Sequence, residues 1–212
     1  MYETYIFDLD GTLLDTLDDL TDAVNATLRK YNLNERTIEE VRAFVGDGLK
    51  MLLRRSVGKD RADLDEMLIE LKEYYREHCE DKTKPYDGVI PLLQTLKRQG
   101  KKIAIVSNKA DFAVKRLAKT YFQGLIDVAI GEDEERGICK KPAPDSVFSA
   151  MKILNAEPSS TVYVGDSDVD VKTAKNAYLP CISVTWGFRD EKFLRESGGE
   201  IFAFQPSDIE KL

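Results

Sequence analysis

Three observations predict an α/β protein with a Rossmann-like parallel sheet, helices on both its faces, and an inserted all-helical domain. An apolar run, Tyr5-Ile-Phe7, opens the chain as a buried strand; strand and helix signals alternate after residue 88; and only helical periodicity lies between. Residues 1–14 and 87–212 are therefore expected to form the core, and residues 15–86 a cap inserted after the first strand. An insertion at that point would sit above the strand ends, where a lid belongs.

The elements follow in order. From Thr16, Leu17, Leu20, Val24, Leu28 and Tyr31 recur at helical spacing, with Thr16 and Asp19 spaced as a capping box. Thr37 and Glu40 repeat that device ahead of Val41 and Phe44. Gly46-Asp-Gly48 turns into Leu49, Leu52, Leu53 and Val57, and a longer helix carries Leu64 to Tyr75. Beyond the polar stretch 80–88, Pro91 is expected to open a helix that Gly100 closes. Strands are expected at Lys102–Val106, Ile126–Ile130, Thr161–Val164 and Cys181–Thr185, with an edge strand at Ile201–Phe204. Helices fill the intervals, and the acidic run 132–135 reads as a solvated loop.

A length of 212 residues fits one large domain or a medium one with an insertion, and the alternation favours the second. Acidic residues outnumber basic ones, 38 to 31, so the net charge of −7 argues against nucleic acid as the main ligand. A small phosphorylated metabolite stays compatible, because a metal offsets local acidity. No targeting segment and no apolar run long enough for a bilayer is seen, so no membrane partner and a cytoplasmic location are expected. Cys79, Cys139 and Cys181 are odd in number and lack zinc or redox spacing, which suits reduced thiols. Monomer and homodimer are both compatible. Asn25-Ala-Thr27 matches a glycosylation acceptor by chance inside a helix.

The chemistry gathers at strand ends. Asp8 follows Ile6-Phe7, Ser107 follows Ile105-Val106, and Asp166 follows Val164-Gly165. Asp8-Leu-Asp10-Gly-Thr12 alone also fits a surface turn. Three strands delivering polar groups to one sheet edge do not. Asp8, Asp10, Asp166 and Asp170 offer hard oxygen ligands; their small number and the lack of an EF-hand loop favour Mg2+ over Ca2+. Without a cation such a set repels itself. Lys141, before Pro142, and Ser107 can stabilise charge on a transferring phosphoryl group. Asp168 is expected to cap a helix. His78, the only histidine, is far from any Gly-x-Ser-x-Gly, and no phosphate-cradling glycine loop occurs.

With Asp8-x-Asp10-Gly-Thr, Ser107, Lys141-Pro and Gly165-Asp166-x-x-x-Asp170 in this order, the chain resembles the haloacid dehalogenase superfamily phosphatases along its whole length. The resemblance implies a Mg2+-dependent phosphatase of small phosphate monoesters. Asp8 would be the nucleophile, forming an aspartyl-phosphate, and Asp10 the general acid and base. The ion would be held by the Asp8 carboxylate, the Asp10 carbonyl and Asp166, with Asp170 acting at one remove or through water. Thr12 and Asn108 would help hold the phosphate. The family's dehalogenases lack the second acid, so Asp10 argues for phosphoryl transfer.

Phe44-Val-Gly-Asp-Gly-Leu49, Val106-Ser-Asn-Lys109, Lys141-Pro-Ala-Pro-Asp145 and Val184-Thr-Trp-Gly187 resemble phosphoglycolate phosphatases most. Gly46 would then allow close approach to the leaving group, and Lys50 would be available for a carboxylate. Tyr178 stands where relatives often turn on glycine. The alternatives on the same core are a sugar phosphomutase like β-phosphoglucomutase, a pyrophosphatase or nucleotidase, and a non-catalytic regulator that binds a phosphorylated ligand.

Overall fold

The structure, a computed structural model, describes residues 2–58, 61–133 and 139–212. Glu134 and Glu135 of the acidic run lie outside these. The chain divides into two compact units, Met1–Leu14 with Pro85–Leu212, and Asp15–Lys84.

In chain order, β1 (Thr4–Phe7) is buried throughout, and a loop leads to the two-residue β2 (Leu14–Asp15). Four helices follow: α1 (Leu17–Lys30), α2 (Ile38–Phe44), α3 (Gly48–Val57) and α4 (Leu64–His78). The chain returns through β3 (Lys84–Pro85), which pairs with β2. It continues through α5 (Val89–Arg98), β4 (Lys102–Ala110), α6 (Asp111–Tyr121), β5 (Val128–Glu132) and α7 (Asp145–Leu154). Then come β6 (Thr161–Gly165), α8 (Asp168–Asn176), β7 (Cys181–Val184), α9 (Glu191–Glu196) and the edge strand β8 (Ile201–Ala203).

The larger unit is a six-stranded parallel sheet in the order β5-β4-β1-β6-β7-β8. Successive strand residues point to opposite faces. Tyr5, Ile6 and Phe7, Ile103 to Val106, and Val162 to Val164 are nonetheless all buried, so both faces are covered. On one face Ile6, Ala104, Val106 and Tyr163 pack with Val147, Ala150 and Met151 of α7 and Ala174 of α8. That double burial explains why these strands read as unbroken apolar runs.

In the smaller unit, α1 packs against α2 and α4, and α3 against α2 and α4. Leu20, Val24, Leu28, Val41, Leu52, Leu53, Met67, Leu71 and Tyr75 form its buried interior. Asn25 donates to the Arg36 carbonyl at 2.9 Å and accepts from the Arg36 N–H at 2.8 Å, a clasp that occupies the glycosylation-like asparagine. His78 stacks on Tyr74 and pairs with Asp81.

Several local expectations are corrected. The capping box at Thr37 and Glu40 is formed, but Thr16 makes no side-chain capping bond. Asp19 is buried and accepts instead from the Lys82 N–H at 2.9 Å and from the Thr83 N–H and hydroxyl at 2.9 and 2.7 Å. Three donors satisfy a buried carboxylate better than the single Thr16 N–H of a capping box could. Helix α5 starts two residues before Pro91, at Val89. Pro91 falls in the first turn, where the missing N–H has no helical partner anyway. β5 begins at Val128, and β4 runs past Ser107 to Ala110, its register with β5 shifting between Val106 and Ala110. Ser167, not Asp168, caps α8, in a capping box with Asp170; Asp168 pairs with Lys172. Tyr178 adopts a left-handed φ of 57°, so the turn after α8 keeps a glycine-like conformation without glycine.

Candidate active site

The sheet register sets the site. Phe7 lies between Ile105 and Val164, so β1 and β6 release Asp8 and Asp166 at the same level at which β4 carries Ser107. β1 is also where the strand order reverses direction, with β4 and β5 to one side and β6, β7 and β8 to the other. In open α/β sheets ligands bind beyond the strand ends at such a reversal.

Asp8, Asp166 and Asp170 are buried, and each offers an oxygen within 4.8 Å of the others'. Lys141 reaches into this group from the loop before α7. Its ammonium donates to Asp170 Oδ1 at 2.7 Å and to the Tyr163 hydroxyl at 3.0 Å, and lies 2.9 Å from Asp8 Oδ1. The last contact is a short ion pair with poor hydrogen-bond direction, for Asp8 Oδ1 is buried and accepts no well-formed hydrogen bond among the described residues. Asp170 is saturated: Oδ1 takes Lys141, and Oδ2 accepts from the Ser167 N–H at 3.1 Å and hydroxyl at 2.6 Å.

The electrostatics follow from burial. Desolvation pushes the Asp8 carboxyl up to about 7, against the pull of Lys141, with Asp170 and Asp10 adding to the rise. Desolvation, then Asp170 and Asp8, pushes Asp166 up to about 8. Burial also opposes charge on Lys141, but Asp170 and Asp8 outweigh it and hold the ammonium well above its ordinary range. Three clustered carboxylates with one lysine leave negative charge uncompensated. An all-oxygen donor set containing an orphaned carboxylate oxygen fits a hard dication.

Around this group sits a tight frame. Asp166 accepts from the Thr12 hydroxyl at 3.0 Å and from the Phe188 N–H at 2.7 Å. The Trp186 indole donates to the Thr12 carbonyl at 3.0 Å. Gly11 has φ of 82°, and a Cβ built on it would overlap the Asp166 carboxylate. Gly187 would overlap the same carboxylate and the Gly11 carbonyl.

Residues 5–184 match the family model described as haloacid dehalogenase-like hydrolase. The chain belongs to this family. A phosphoglycolate phosphatase from Aquifex aeolicus is 33% identical over 208 residues, covering 98% of this chain and 94% of that one. A pyrophosphatase PpaX from Bacillus mycoides is 30% identical over 207 residues, covering 97% and 94%. A crystal structure from Lactobacillus delbrueckii subsp. bulgaricus, provisionally named a phosphoglycolate phosphatase, superposes with a TM-score of 0.93 at 33% identity, covering 99% of this chain and 97% of that one.

In this haloacid dehalogenase-like hydrolase the sequence-selected residues fall into two groups. Asp8, Asp10, Thr12, Ser107, Asn108, Lys141, Asp166 and Asp170 all lie in the larger unit. Asn108 spends its side chain on Lys141, accepting from its N–H at 2.7 Å and donating to its carbonyl at 3.0 Å, so it fixes the loop that aims the ammonium. Ser107 is buried, its Oγ 3.4 Å from the Lys109 N–H. Gly46 and Lys50 belong to the smaller unit. Gly46 has φ of 130° with open space where a Cβ would be, and Lys50 pairs with Asp65 at 3.0 Å.

Two participants carried no sequence assignment. Tyr163 looked like an apolar strand residue, yet a buried tyrosine hydroxyl demands a partner, and it finds Lys141. Lys109 is 1% exposed at its side chain and pairs with Asp10 Oδ1 at 2.8 Å. A lysine directly after two polar residues at a strand end was the available signal.

Proposed function

We propose that this hydrolase is a Mg2+-dependent phosphatase of small phosphate monoesters, with 2-phosphoglycolate its leading substrate, and that it works in the cytoplasm. The observation that carries this reading is the Asp8 carboxylate, buried at the strand end with an oxygen lacking a hydrogen bond, 2.9 Å from Lys141 and two residues from Asp10. The substrate name is supported by the phosphoglycolate phosphatases among the relatives, and the PpaX relatives favour pyrophosphate as a second candidate. The cytoplasmic reading rests on the three free cysteines.

In this reading an Asp8 oxygen attacks phosphorus and the bond to the leaving oxygen breaks, giving an aspartyl-phosphate and an alcohol. Asp10 supplies the proton that the leaving oxygen takes. It then accepts a proton from the water that attacks the aspartyl-phosphate, releasing phosphate and restoring Asp8. Lys141 balances charge on the phosphoryl oxygens, held in place by Asp170, Tyr163 and the Asn108 clasp. Asp8, Asp166 and the Asp10 carbonyl would hold Mg2+, with Asp170 contributing through Lys141. The ion would keep the carboxylates ionised and take up charge from the phosphoryl group. The unit Asp15–Lys84 would serve as the cap, with Gly46 and Lys50 turned to the substrate.

The test is phosphate release from 2-phosphoglycolate, hexose phosphates, nucleotide monophosphates and pyrophosphate, each with Mg2+ and with chelator. Mg2+-dependent release that vanishes in a folded Asp8→Asn variant is the expected result. An isomeric sugar phosphate as product would make the chain a mutase, and binding without turnover would make it a regulator.

A further inference from the structure

The turn that follows β7 closes on one carboxylate. Asp166 is buried, and each of its oxygens already has a donor: Oδ1 accepts from the Thr12 hydroxyl at 3.0 Å and Oδ2 from the Phe188 N–H at 2.7 Å. Trp186 reaches the same group at one remove. Its indole N–H donates to the Thr12 carbonyl at 3.0 Å, so Thr12 is fixed through its backbone while its hydroxyl fixes Asp166. We propose that Trp186-Gly187-Phe188 is the selectivity element of the cation site: it immobilises Asp166 and so favours Mg2+ over the larger Ca2+. This rests on Asp166 being a ligand of the ion, as the phosphatase reading has it.

Confinement adds to the hydrogen bonds. A Cβ on Gly187 would lie 2.4 Å from the Asp166 Cβ and 2.5 Å from Oδ2, and one on Gly11 would lie 2.3 Å from Oδ2. Two glycine backbones therefore flank the side chain, and rotation about its Cβ–Cγ bond would break both hydrogen bonds. A carboxylate offers about four acceptor positions, so two remain for an ion. What Asp166 lacks is freedom to follow that ion.

Rigidity separates the two dications. Mg2+ demands near-octahedral oxygens at about 2.0–2.1 Å, whereas Ca2+ takes about six to eight oxygens at roughly 2.3–2.6 Å and often grips a carboxylate by both. A carboxylate held at each oxygen suits the first ion and resists the adjustment that the second requires. The neighbouring Asp170 does not compensate, because Lys141 and Ser167 occupy its oxygens. Phe188 contributes a backbone N–H, so Trp186 is the member of the turn whose side chain holds the frame, as a positioning residue that acts through Thr12.

The experiment displaces Mn2+ from the metal-free chain with Mg2+ or with Ca2+, and reads free Mn2+ by electron paramagnetic resonance, which puts both affinities on one scale. The unaltered chain is compared with Trp186→Phe and Thr12→Val, and Mn2+ still held by Asp166→Asn is subtracted as binding elsewhere. The unaltered chain should prefer Mg2+. Trp186→Phe keeps an aromatic ring without the N–H and should cut that preference about tenfold, the scale on which partners of metal ligands act. Thr12→Val, which removes the hydroxyl at Asp166 itself, should cut it at least as far, and either variant decides the ratio if the other fails to fold. Affinities for both ions weakened alike, with the preference unchanged, would show that the turn only supports the fold and would overturn the inference. An unaltered chain that binds Ca2+ as tightly as Mg2+ would overturn it without any variant. Absence of displaceable Mn2+ from the unaltered chain would sink the metal reading and this inference with it. Phosphate release is scored separately: selective Mg2+ binding without turnover would sink the phosphatase reading while the ratio still decides the role of the turn.

Discussion

Asp170 and Lys141, 29 residues apart in sequence, meet in the buried interior through a 2.7 Å charge-assisted bond. Asp170 is itself anchored by the Ser167 N–H and hydroxyl, so the ammonium is held by a carboxylate that cannot swing away. Lys141→Ala should therefore leave Asp8 and Asp170 without their shared cation and destabilise the metal-free protein by roughly 3–5 kcal/mol. Asp170→Asn removes one of the repelling charges as well as one partner, so it should cost less stability while lowering kcat at least tenfold. Chemical denaturation with and without Mg2+, alongside phosphate release, separates the two effects. Equal stability losses in both variants would contradict the arrangement.

The raised carboxyls make stability depend on pH. Asp8 rises to about 7 and Asp166 to about 8 in the folded protein, from an ordinary 3.8, chiefly through desolvation. Between about pH 4 and pH 8 the folded state thus holds more protons than the unfolded chain, and unfolding free energy falls as pH rises. Metal-free protein should melt several degrees lower at pH 8 than at pH 5.5, and saturating Mg2+ should reverse most of that loss. Asp166→Asn should flatten the profile. Calorimetric scans across this range check it, and a metal-free protein that gains stability with pH would refute the assignment.

Gly11 tolerates no side chain on two counts, its φ of 82° and the overlap of any Cβ with Asp166. Gly11→Ala should displace the Asp166 carboxylate and lower kcat/KM by about 100-fold, a cost that follows from misplacing a group by a fraction of an ångström at a reacting centre. Mg2+ affinity, read by activity against ion concentration, should weaken in parallel. Unchanged Mg2+ dependence would argue against that displacement.

Tyr178 offers the opposite case. It takes a left-handed φ of 57° while 89% exposed, with the Leu179 N–H closing the end of α8 on the Ala174 carbonyl at 2.9 Å. The aromatic ring gains little from packing there, and a non-glycine residue in this conformation costs about 1 kcal/mol. Tyr178→Gly should stabilise the fold by about that amount and leave activity unchanged, as thermal melts and turnover would show.

Much of this was legible in sequence because sheet position writes itself into composition. Tyr5-Ile-Phe7 and Val162-Tyr-Val164 are apolar at every residue since both faces of the sheet are covered, and Asp8 and Asp166 stand out as acids following such runs. What stayed hidden depends on contacts across long separations. Asp19 has the spacing of a capping residue, yet its partners are Lys82 and Thr83, which no local pattern reveals. The pairing of Lys109 with Asp10 follows from β4 continuing past Ser107, which joins residues 99 positions apart. The clasp of Asn108 on the Lys141 backbone was equally hidden, because its partner lies 33 residues downstream.

The pairing of β2 with β3 means that the chain departs from the larger unit and returns to it at neighbouring points. The Tyr86 N–H donates to the Leu13 carbonyl at 3.2 Å on one side of that junction, and Asp19 grips residues 82 and 83 on the other. A segment whose two ends meet in this way is a graft. It can be lengthened or exchanged for another folded piece without threading strain into β1, whose last residue, Phe7, lies eight residues before Asp15.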